Sequence, residues 1–441
     1  MDEIFCIYKT VRAKLKIRLE KIMKNNKNSK GSNNICTMNI VHYRHYSFNI
    51  DVVNLIFMVI LAFAITAFTG CQKQENRDLS TAKRTVDMVS ETFANAITTD
   101  QTVAVKKAEK ESCVSDSKKD KKADLTTITI SAAGDCTFGS DYKSPASVNF
   151  YAVYNEKNNP SYFFKNVKKF FAKDDLTLVN LEGTLTKRTT RSDKTYAFRG
   201  DPSYVKILKK ASIEAVSFAN NHCQDFGQGS YTDTIDTLKN AEIKYSSYDK
   251  VSIFKAKGIK IGMISVNGLN GYSSSQEYIS SGMKKLRKRK ANLVIVSIHA
   301  GVEHTSLINR TQIDLAHYAI EQGANLVIGH HPHVLQGIER YKGAYIVYSL
   351  GNFCFGGNTN PADKDTMIFQ QTFTFSGNKL LKKKSKAKVI SCCISSTTFI
   401  NNYQPTPLKR KEKERVIDRL NTYSSQFGIG VKKTGVLYIK K

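Results

Sequence analysis

Most of the histidines in this 441-residue sequence stand in short polar stretches that directly follow apolar, β-branched runs. Five such runs occur, at residues 126–132, 176–179, 215–218, 293–298 and 325–328. Six of the nine histidines lie in the stretches behind these runs. The side chains there that could bind metal or move a proton are Asp135, Glu182, Asn221, His222, His299, His331 and His333. Residues of these types predict metal-dependent chemistry.

These residue types match the needs of a centre that holds two divalent ions. Two ions about 3.5–4 Å apart share a bridging carboxylate, and neutral imidazoles and oxygen donors complete their coordination, so that an activated water can attack a substrate held across both. With at least three imidazoles among the ligands, Mn, Fe or Zn is favoured over Mg. The predicted ligands are Asp135, Glu182, Asn221, His299, His331 and His333.

The apolar runs also predict the scaffold that brings these residues together. From Leu125 onward, short β-branched segments alternate with amphipathic helical segments, which indicates an α/β fold. Strand ends in an open α/β sheet converge at one edge, where side chains far apart in sequence meet. We therefore expect one site rather than five separate ones.

Five stretches resemble, in order, the signature segments of the CapA-like capsule-synthesis proteins associated with bacterial poly-γ-glutamate. They are GDCTFGSD, NLEGTLT, FANNHCQDFG, HAGVEH and GHHPHVLQGIERYKGAYIVYSLGNF, between Thr126 and Phe355. That family is a branch of the calcineurin-like metallophosphoesterase superfamily. The resemblance implies a metallophosphoesterase-like αββα fold, in which two mixed β-sheets form a sandwich flanked by helices and the metals lie at the strand ends.

The resemblance also implies a role for the oxygen ligands. Asp135 matches the first metal-binding aspartate, Glu182 takes the place of the bridging aspartate, and Asn221 matches a ligand asparagine. Thr137 stands where many superfamily members have a histidine, although this branch generally lacks it. Ala300 stands where a tryptophan is common, which puts substrate contacts in doubt rather than metal binding.

The histidines receive two kinds of role from the same resemblance. His299 and His331 would join Asn221 at one ion, whereas His333 would join Asp135 at the other. His222 matches the residue that acts as general acid or stabilises the transition state. A purely structural metal site would need the neighbouring asparagine but has no evident use for this imidazole.

Several nearby residues have structural explanations that compete with functional ones. His304 and His330 could be further ligands or donors to ligands, or could simply be solvated. Cys136 and Cys223 could alter the metal preference as thiolates, or could be small buried apolar side chains. His317 lies in a helical stretch and is expected to be a surface or packing residue.

The N-terminal part of the chain predicts attachment to a membrane. An apolar run at residues 52–68 is followed by two small residues and Cys71, an order that resembles a bacterial lipoprotein signal with Cys71 as the lipidated residue. Phe68 replaces the usual leucine, so an uncleaved membrane anchor is the alternative. Translation could start at Met1 or at Met38. Either way, we expect the rest of the chain at the extracytoplasmic face of the cell membrane.

The sequence therefore divides into five predicted parts. They are a basic N-terminal segment (1–49), a lipoprotein signal or anchor (50–71), a polar linker (72–124), the CapA-like domain (125–405) and a basic, partly helical C-terminal extension (406–441).

The composition excludes several classes of protein but does not identify a binding partner. A hydrophobic content of 41% excludes a disordered polymer, and nine cysteines without a CxxC pair argue against a zinc ribbon or disulfide scaffold. The net charge of +29 is concentrated at the chain ends and suits an anionic polymer, although general solubility is the favoured explanation. The basic run 284–290 is likewise either a polyanion site or a solvated helix face. No nucleic-acid partner is expected.

Two functional hypotheses remain open from the sequence. The chain is either a surface-anchored hydrolase of phosphoesters, or of amides in a γ-glutamyl or cell-wall polymer, or a non-catalytic accessory protein. An accessory protein would bind the polymer or a membrane poly-γ-glutamate synthase complex. The full set of predicted ligands favours metal binding under both hypotheses.

Overall fold

The structure is a computed structural model and describes residues 125–440. The predicted N-terminal segment, anchor and linker, including Cys71, lie outside the described residues. Between residues 125 and 440, no helix has both the length and the apolar character needed to cross a bilayer.

Nineteen strands form the framework of the described residues. In chain order they are β1 (Leu125–Thr137), β2 (Leu176–Leu181), β3 (Thr184–Leu185), β4 (Arg199–Gly200), β5 (Ala215–Ser217), β6 (Lys244–Ser246), β7 (Ser252–Ala256), β8 (Ile259–Asn267), β9 (Leu293–His299), β10 (Leu326–His330), β11 (Ile338–Tyr341), β12 (Ala344–Val347), β13 (Asn352–Phe355), β14 (Asp365–Ser376), β15 (Lys379–Leu380), β16 (Lys386–Cys393), β17 (Thr406–Pro407), β18 (Ile429–Val431) and β19 (Leu437–Ile439).

Seven α-helices connect these strands within the described residues. They are α1 (Phe150–Lys157), α2 (Lys168–Phe171), α3 (Val205–Ala211), α4 (Gly227–Asn240), α5 (Tyr272–Lys288), α6 (Arg310–Glu321) and α7 (Arg410–Tyr423). The predicted basic run 284–290 forms the end of α5, where Leu286 is buried and most of its basic neighbours are exposed. This arrangement agrees with a solvated helix face.

The strands form two large mixed sheets. The first has the order β17-β16-β14-β1-β2-β5-β6, with β13 also paired to β1 and β15 to β14. Its half from β1 to β6 is parallel, whereas β14, β16 and β17 are antiparallel. The second sheet has the order β11-β12-β10-β9-β8-β7, with parallel pairing from β8 to β12 and antiparallel edges.

Alternating side chains place three apolar layers around these sheets. Ile130, Leu178 and Ile295 are among the residues of a shared core between the two sheets. Residues that point the other way, such as Val179 and Val296, pack under the helices on each outer face. This period-two alternation in fully buried strands produces a four-layer αββα arrangement, which confirms the predicted fold class.

Two of the strands that carry the site are longer than the apolar segments from which they were predicted. β1 continues past Asp135 to Thr137, and β2 continues to Leu181. The extension arises because the end of β1 pairs with β13 as well as with β2, with a register shift next to Asp135. The polar residues of β1 are thus held by strand hydrogen bonds rather than by a free loop.

The C-terminal residues 406–440 pack against the same core as the preceding strands. Val416, Ile417 and Leu420 of α7 are buried in the layer between the sheets. On its other side, Arg415 donates two hydrogen bonds to Asp365, at 2.6 and 2.7 Å. The segment is therefore an integral layer of the domain that carries the site.

Candidate metal centre

All seven residues predicted from the strand ends meet at one edge of the two sheets. Six of them are buried and Asn221 is half-buried. They come from the ends of β1, β2, β5, β9 and β10 or from the turns that follow. The residues brought together are Asp135, Glu182, Asn221, His222, His299, His331 and His333.

Glu182 lies at the centre of this cluster. Its Oε1 atom is 3.6 Å from His333 Nε2 and 3.9 Å from Nε2 of both His222 and His299. Although it is fully buried, this oxygen has no hydrogen-bond partner among the described residues. Buried carboxylate oxygens are normally hydrogen-bonded or bound to a cation.

Both carboxylate oxygens of Asp135 have polar contacts. Asn180 Nδ2 donates to Asp135 Oδ1 at 2.8 Å, and the backbone N–H of His331 donates to Oδ2 at 3.2 Å. His333 Nδ1 lies 3.4 Å from Oδ2. His330 Nδ1 lies 3.0 Å from Oδ1 but is not aligned for a hydrogen bond.

Amide side chains fix the positions of the acidic and imidazole groups. Besides Asp135, Asn180 Nδ2 lies 3.3 Å from both Glu182 Oε2 and His299 Nδ1. Asn220 in turn donates to Asn180 Oδ1 at 3.1 Å. On the other side, Asn352 Oδ1 accepts from His333 Nδ1 at 2.9 Å, which leaves His333 Nε2 free to face Glu182.

Backbone geometry turns two of the imidazoles into the cluster. His331 and His333 flank Pro332 and have φ angles of 98° and 60°, in the left-handed region that residues other than glycine rarely adopt. Such backbone outliers persist only where the surrounding structure enforces them, and they concentrate at functional sites. The turn after β10 is thus built to direct both rings toward Glu182.

His222 forms a hydrogen-bonded unit beside the carboxylates. Its Nδ1 atom is 2.7 Å from Asp225 Oδ2, and because a carboxylate only accepts, Nδ1 is the protonated nitrogen. Lys194 Nζ donates to Asp225 Oδ1 at 2.8 Å. The Phe198 ring packs 4.4 Å from the imidazole. Asp225 thereby orients His222 so that Nε2 faces Glu182.

The carboxyl groups have opposite pKa shifts. Burial, together with the negative charge of Asp135, raises the pKa of Glu182 well above its usual value. Burial would also raise the pKa of Asp135, but interactions with His330 and His333 bring it well below the usual value. Carboxylate oxygens within 4.8 Å of each other avoid repulsion either when one group is protonated or when a positive charge lies beside them.

The imidazoles also have pKa shifts in opposite directions. Burial and neighbouring imidazoles lower the pKa of His299 well below its ordinary value and that of His331 to about 4. Burial also lowers the pKa of His222, against the effect of Asp225. His333 is the exception, because Glu182 and Asp135 outweigh burial and raise its pKa to about 9. His299 and His331 are therefore neutral at pH 7, the form that binds metal.

The described residues fit the metal chemistry expected from the sequence. Two groups have ligand atoms within 4.8 Å of one another, namely Asp135, Glu182 and His299, and Glu182, His331 and His333. Both contain Glu182, as a bridging ligand would require. The division of histidines differs from the one that the resemblance implies, in which His299 is grouped with His331 and His333 with Asp135. The assignment of each ligand to an ion stays a prediction.

The structure distinguishes between the functional and structural explanations for the histidines and cysteines near the predicted ligands. His330 is buried against Asp135 and is not solvated, whereas the His304 side chain is 72% exposed. His317 lies outside the cluster, stacked on Tyr341 at 3.7 Å, as expected for a packing residue. Cys136 and Cys223 are buried, and burial raises the pKa of both thiols, so they are neutral apolar side chains.

Several residues of the centre were not selected from the sequence. Asn180, Asp225 and Asn352 all lie within the quoted family segments, next to or near a predicted ligand, and carried a signal that could have been used. Lys194 lies in the 187–196 segment, outside those segments, and nothing in its local sequence sets it apart from other lysines.

Comparisons with known proteins identify the family of this chain. The family described as "Bacterial capsule synthesis protein PGA_cap" matches residues 129–357. The chain is 28% identical over 295 residues to "PGA biosynthesis protein CapA" of Bacillus subtilis (strain 168), a match covering 62% of this chain and 74% of that protein. It is 27% identical over 280 residues to "Capsule biosynthesis protein CapA" of Bacillus anthracis, covering 58% and 66%.

A more distant relative is similar over a shorter region. The chain is 26% identical over 208 residues to a "Probable polyglutamine synthesis accessory protein" of Mycobacterium tuberculosis, which covers 40% of this chain and 55% of that protein. The family match includes all the predicted metal ligands and extends over more than half of the chain. The chain therefore belongs to the bacterial capsule synthesis protein PGA_cap family.

Proposed function

We propose that this chain is a dinuclear metal-dependent hydrolase that acts in capsule or poly-γ-glutamate synthesis, on a phosphoester or an amide bond. The names of the family and of two Bacillus relatives support a role in this synthesis. The arrangement around Glu182 supports the chemistry.

The main observation that supports this proposal is the position of Glu182 Oε1, which lies 3.6 to 3.9 Å from three imidazole nitrogens. These gaps are too long for hydrogen bonds, which end near 3.2 Å. Two ligand atoms that each lie about 2.1 Å from one ion are separated by roughly 3–4 Å. A buried carboxylate oxygen without a hydrogen-bond partner, at this spacing from imidazole nitrogens, is the environment of a metal ligand.

Within this proposal, the ligands are the six predicted ones. Divalent ions bound by Asp135, Glu182, Asn221, His299, His331 and His333 would polarise a substrate oxygen and promote ionisation of a water. Asn180 would hold Asp135, and Asn352 would hold the Nδ1–H form of His333.

His222 would supply the proton for the leaving group. Asp225 accepts the Nδ1–H, so Nε2 is the atom that would carry the second proton of the imidazolium form toward the substrate. The Asp225 carboxylate favours this charged form and opposes the effect of burial, which lowers the pKa of His222. Phe198, which is 4% exposed, packs against this imidazole, and Phe355, which is 5% exposed, packs against His333, so the two rings would limit the access of water to the cluster.

Metal analysis of the purified protein and its variants tests the centre. We expect close to two ions of Mn, Fe or Zn per wild-type chain. Glu182→Ala should empty both positions together, whereas His333→Ala should affect mainly one. His317→Ala removes an imidazole outside the cluster and should leave the metal content unchanged. Wild-type protein that stays metal-free after incubation with each ion would refute the centre.

Turnover is tested through His222. Loss of a general acid typically costs about 10²–10⁴ in rate, so His222→Asn should lower hydrolysis of an aryl phosphoester or a γ-glutamyl amide by that factor while both ions stay bound. Equal rates in the variant and the wild type would contradict the assigned role.

A non-catalytic accessory function is the second candidate, because the Mycobacterium relative is named as an accessory protein. It predicts that polymer production in cells fails with Glu182→Ala but is normal with His222→Ala. In that role the chain would bind the anionic polymer or a membrane synthase complex. Under both functions we propose that the segment before residue 72 holds the protein at the outer face of the cell membrane.

A further inference from the structure

Lys194 is the cation nearest to His222, and it lies in the 187–196 segment that borders the centre. Its Nζ atom donates to the backbone oxygen of Asn221 and to Asp225 Oδ1, both at 2.8 Å. It also lies 3.3 Å from His222 Nδ1. The ammonium thus touches the turn that carries both a predicted ligand and the predicted acid.

One of the three N–H groups of this ammonium has no acceptor among the described residues. His222 Nδ1 donates its own proton to Asp225 Oδ2, so it cannot accept a hydrogen bond from Lys194. The Lys194 side chain is 28% exposed, whereas Asp225 is fully buried. A group from outside the protein can therefore reach the third donor.

An aromatic surface borders the same position. Tyr196, which is 55% exposed, stacks on Phe198 with the ring centroids 6.4 Å apart. Phe198 in turn packs against the His222 ring. An exposed ring and an ammonium two residues apart suit a ligand in which an anionic group alternates with hydrocarbon.

We propose that Lys194 and Tyr196 form a binding subsite for an anionic group of the substrate, a carboxylate or a phosphate, on the leaving-group side of the metal centre. This proposal rests on the proposed function in one respect, namely that the leaving group of the substrate lies on the side of His222. It selects a substrate that continues beyond the scissile bond as an acidic chain over one with a neutral leaving group.

The same segment contains a matched control. Arg191 also pairs with a buried carboxylate, with Nη2 3.0 Å from Asp141 Oδ2, and its other contacts are the backbone oxygens of Ser192 and Thr195. Removal of either cation breaks one ion pair with a buried aspartate. Of these two cations, Lys194 contacts His222, and no such contact is found for Arg191 among the described residues.

Calorimetric titration of the full-length protein in detergent, loaded with metal, tests the subsite without turnover. The probes are a γ-linked glutamate pentamer, the same pentamer with its α-carboxylates converted to carboxamides, and tripolyphosphate. Wild-type protein should bind the acidic pentamer more tightly than the carboxamide. Lys194→Met should reduce this preference about two- to fivefold, the upper part of the range expected for one partly exposed ion pair. Arg191→Met should keep it within about twofold.

If Lys194→Met does not fold, Lys194→Gln replaces it in the titration, because the glutamine amide keeps a neutral hydrogen-bond donor for Asp225 and for the backbone oxygen of Asn221. A preference that is unchanged in the Lys194 variants, or reduced equally by Arg191→Met, overturns the proposal. A larger effect of Lys194 on tripolyphosphate than on the pentamer supports the subsite and assigns it to phosphate. Binding that depends on Lys194 in a protein without turnover would refute the hydrolase but not the subsite.

Discussion

Gly134→Ala should weaken both the fold and the metal centre, because the backbones of β1 and β13 meet at this glycine. A Cβ atom at this position would lie 1.8 Å from the backbone oxygen of Gly351. A carbon and an oxygen atom need about 3 Å, so the strands must separate by more than 1 Å. The neighbouring hydrogen bond from Asp135 N–H to the same oxygen, now 3.0 Å, would break. Overpacking costs about 1–3 kcal/mol and the lost bond about 1 kcal/mol, which gives a destabilisation of roughly 2–4 kcal/mol.

Thermal unfolding followed by circular dichroism measures this effect. At about 2 °C per kcal/mol for a domain of this size, the melting temperature should fall by roughly 4–8 °C in the metal-free protein. The variant should also hold less metal, because Asp135 moves with β1. Gly229→Ala is a suitable control, since its Cβ would meet only the mobile end of the Arg188 side chain. A Gly134→Ala variant with the melting temperature and metal content of the wild type would refute the close approach of the two strands.

Three further predictions concern other parts of the chain. Burial and nearby carboxylates raise the folded-state pKa of Asp174 to about 7, above its value in the unfolded chain, so stability is lost as pH rises from about 4 to 7. Asp174→Asn should therefore stabilise the protein relative to wild type at pH 8 but not at pH 4, by about 1–2 kcal/mol in the free energy of unfolding because the group is partly exposed, and thermal unfolding at the two pH values measures this. Arg419→Met should destabilise the domain in urea by about 1–2 kcal/mol by removing one partner of the buried Asp365, whereas Lys411→Met on the same helix should not. Cys71→Ala should abolish labelling of the protein by a radioactive fatty acid in cells, and an unlabelled wild type that stays in the membrane would indicate an uncleaved anchor instead.

The layered fold and the meeting of the strand ends were predictable because both follow from local patterns. Buried strands such as β9 are short β-branched runs, and the polar residues that close them must gather at one edge of a sheet. The family resemblance then supplied the two-sheet sandwich, which periodicity alone does not distinguish from other α/β folds.

The parts that were not predicted depend on contacts between residues distant in sequence. Nothing in the local pattern around Lys194 indicates that it reaches Asp225, 31 residues away. The extension of β1 past Asp135 likewise depends on pairing with β13, which comes more than 200 residues later. His330 was hard to assign because its burial is decided by the position of Asp135, on another strand of another sheet.

The position of β1 also bears on when the candidate metal centre can form. β1 is central in its sheet but comes first among the described strands, and its partner β14 comes late, so that Thr129 and Thr372 are paired across 243 residues. Long-range pairings of this kind form slowly, because a large loop must close before any contact stabilises it. The candidate ligands span both sheets and cannot gather until most of the chain has been synthesised. A chain that crosses a membrane unfolded would therefore bind the ions available in the compartment where it folds, and metal identity would be set there rather than at the ribosome.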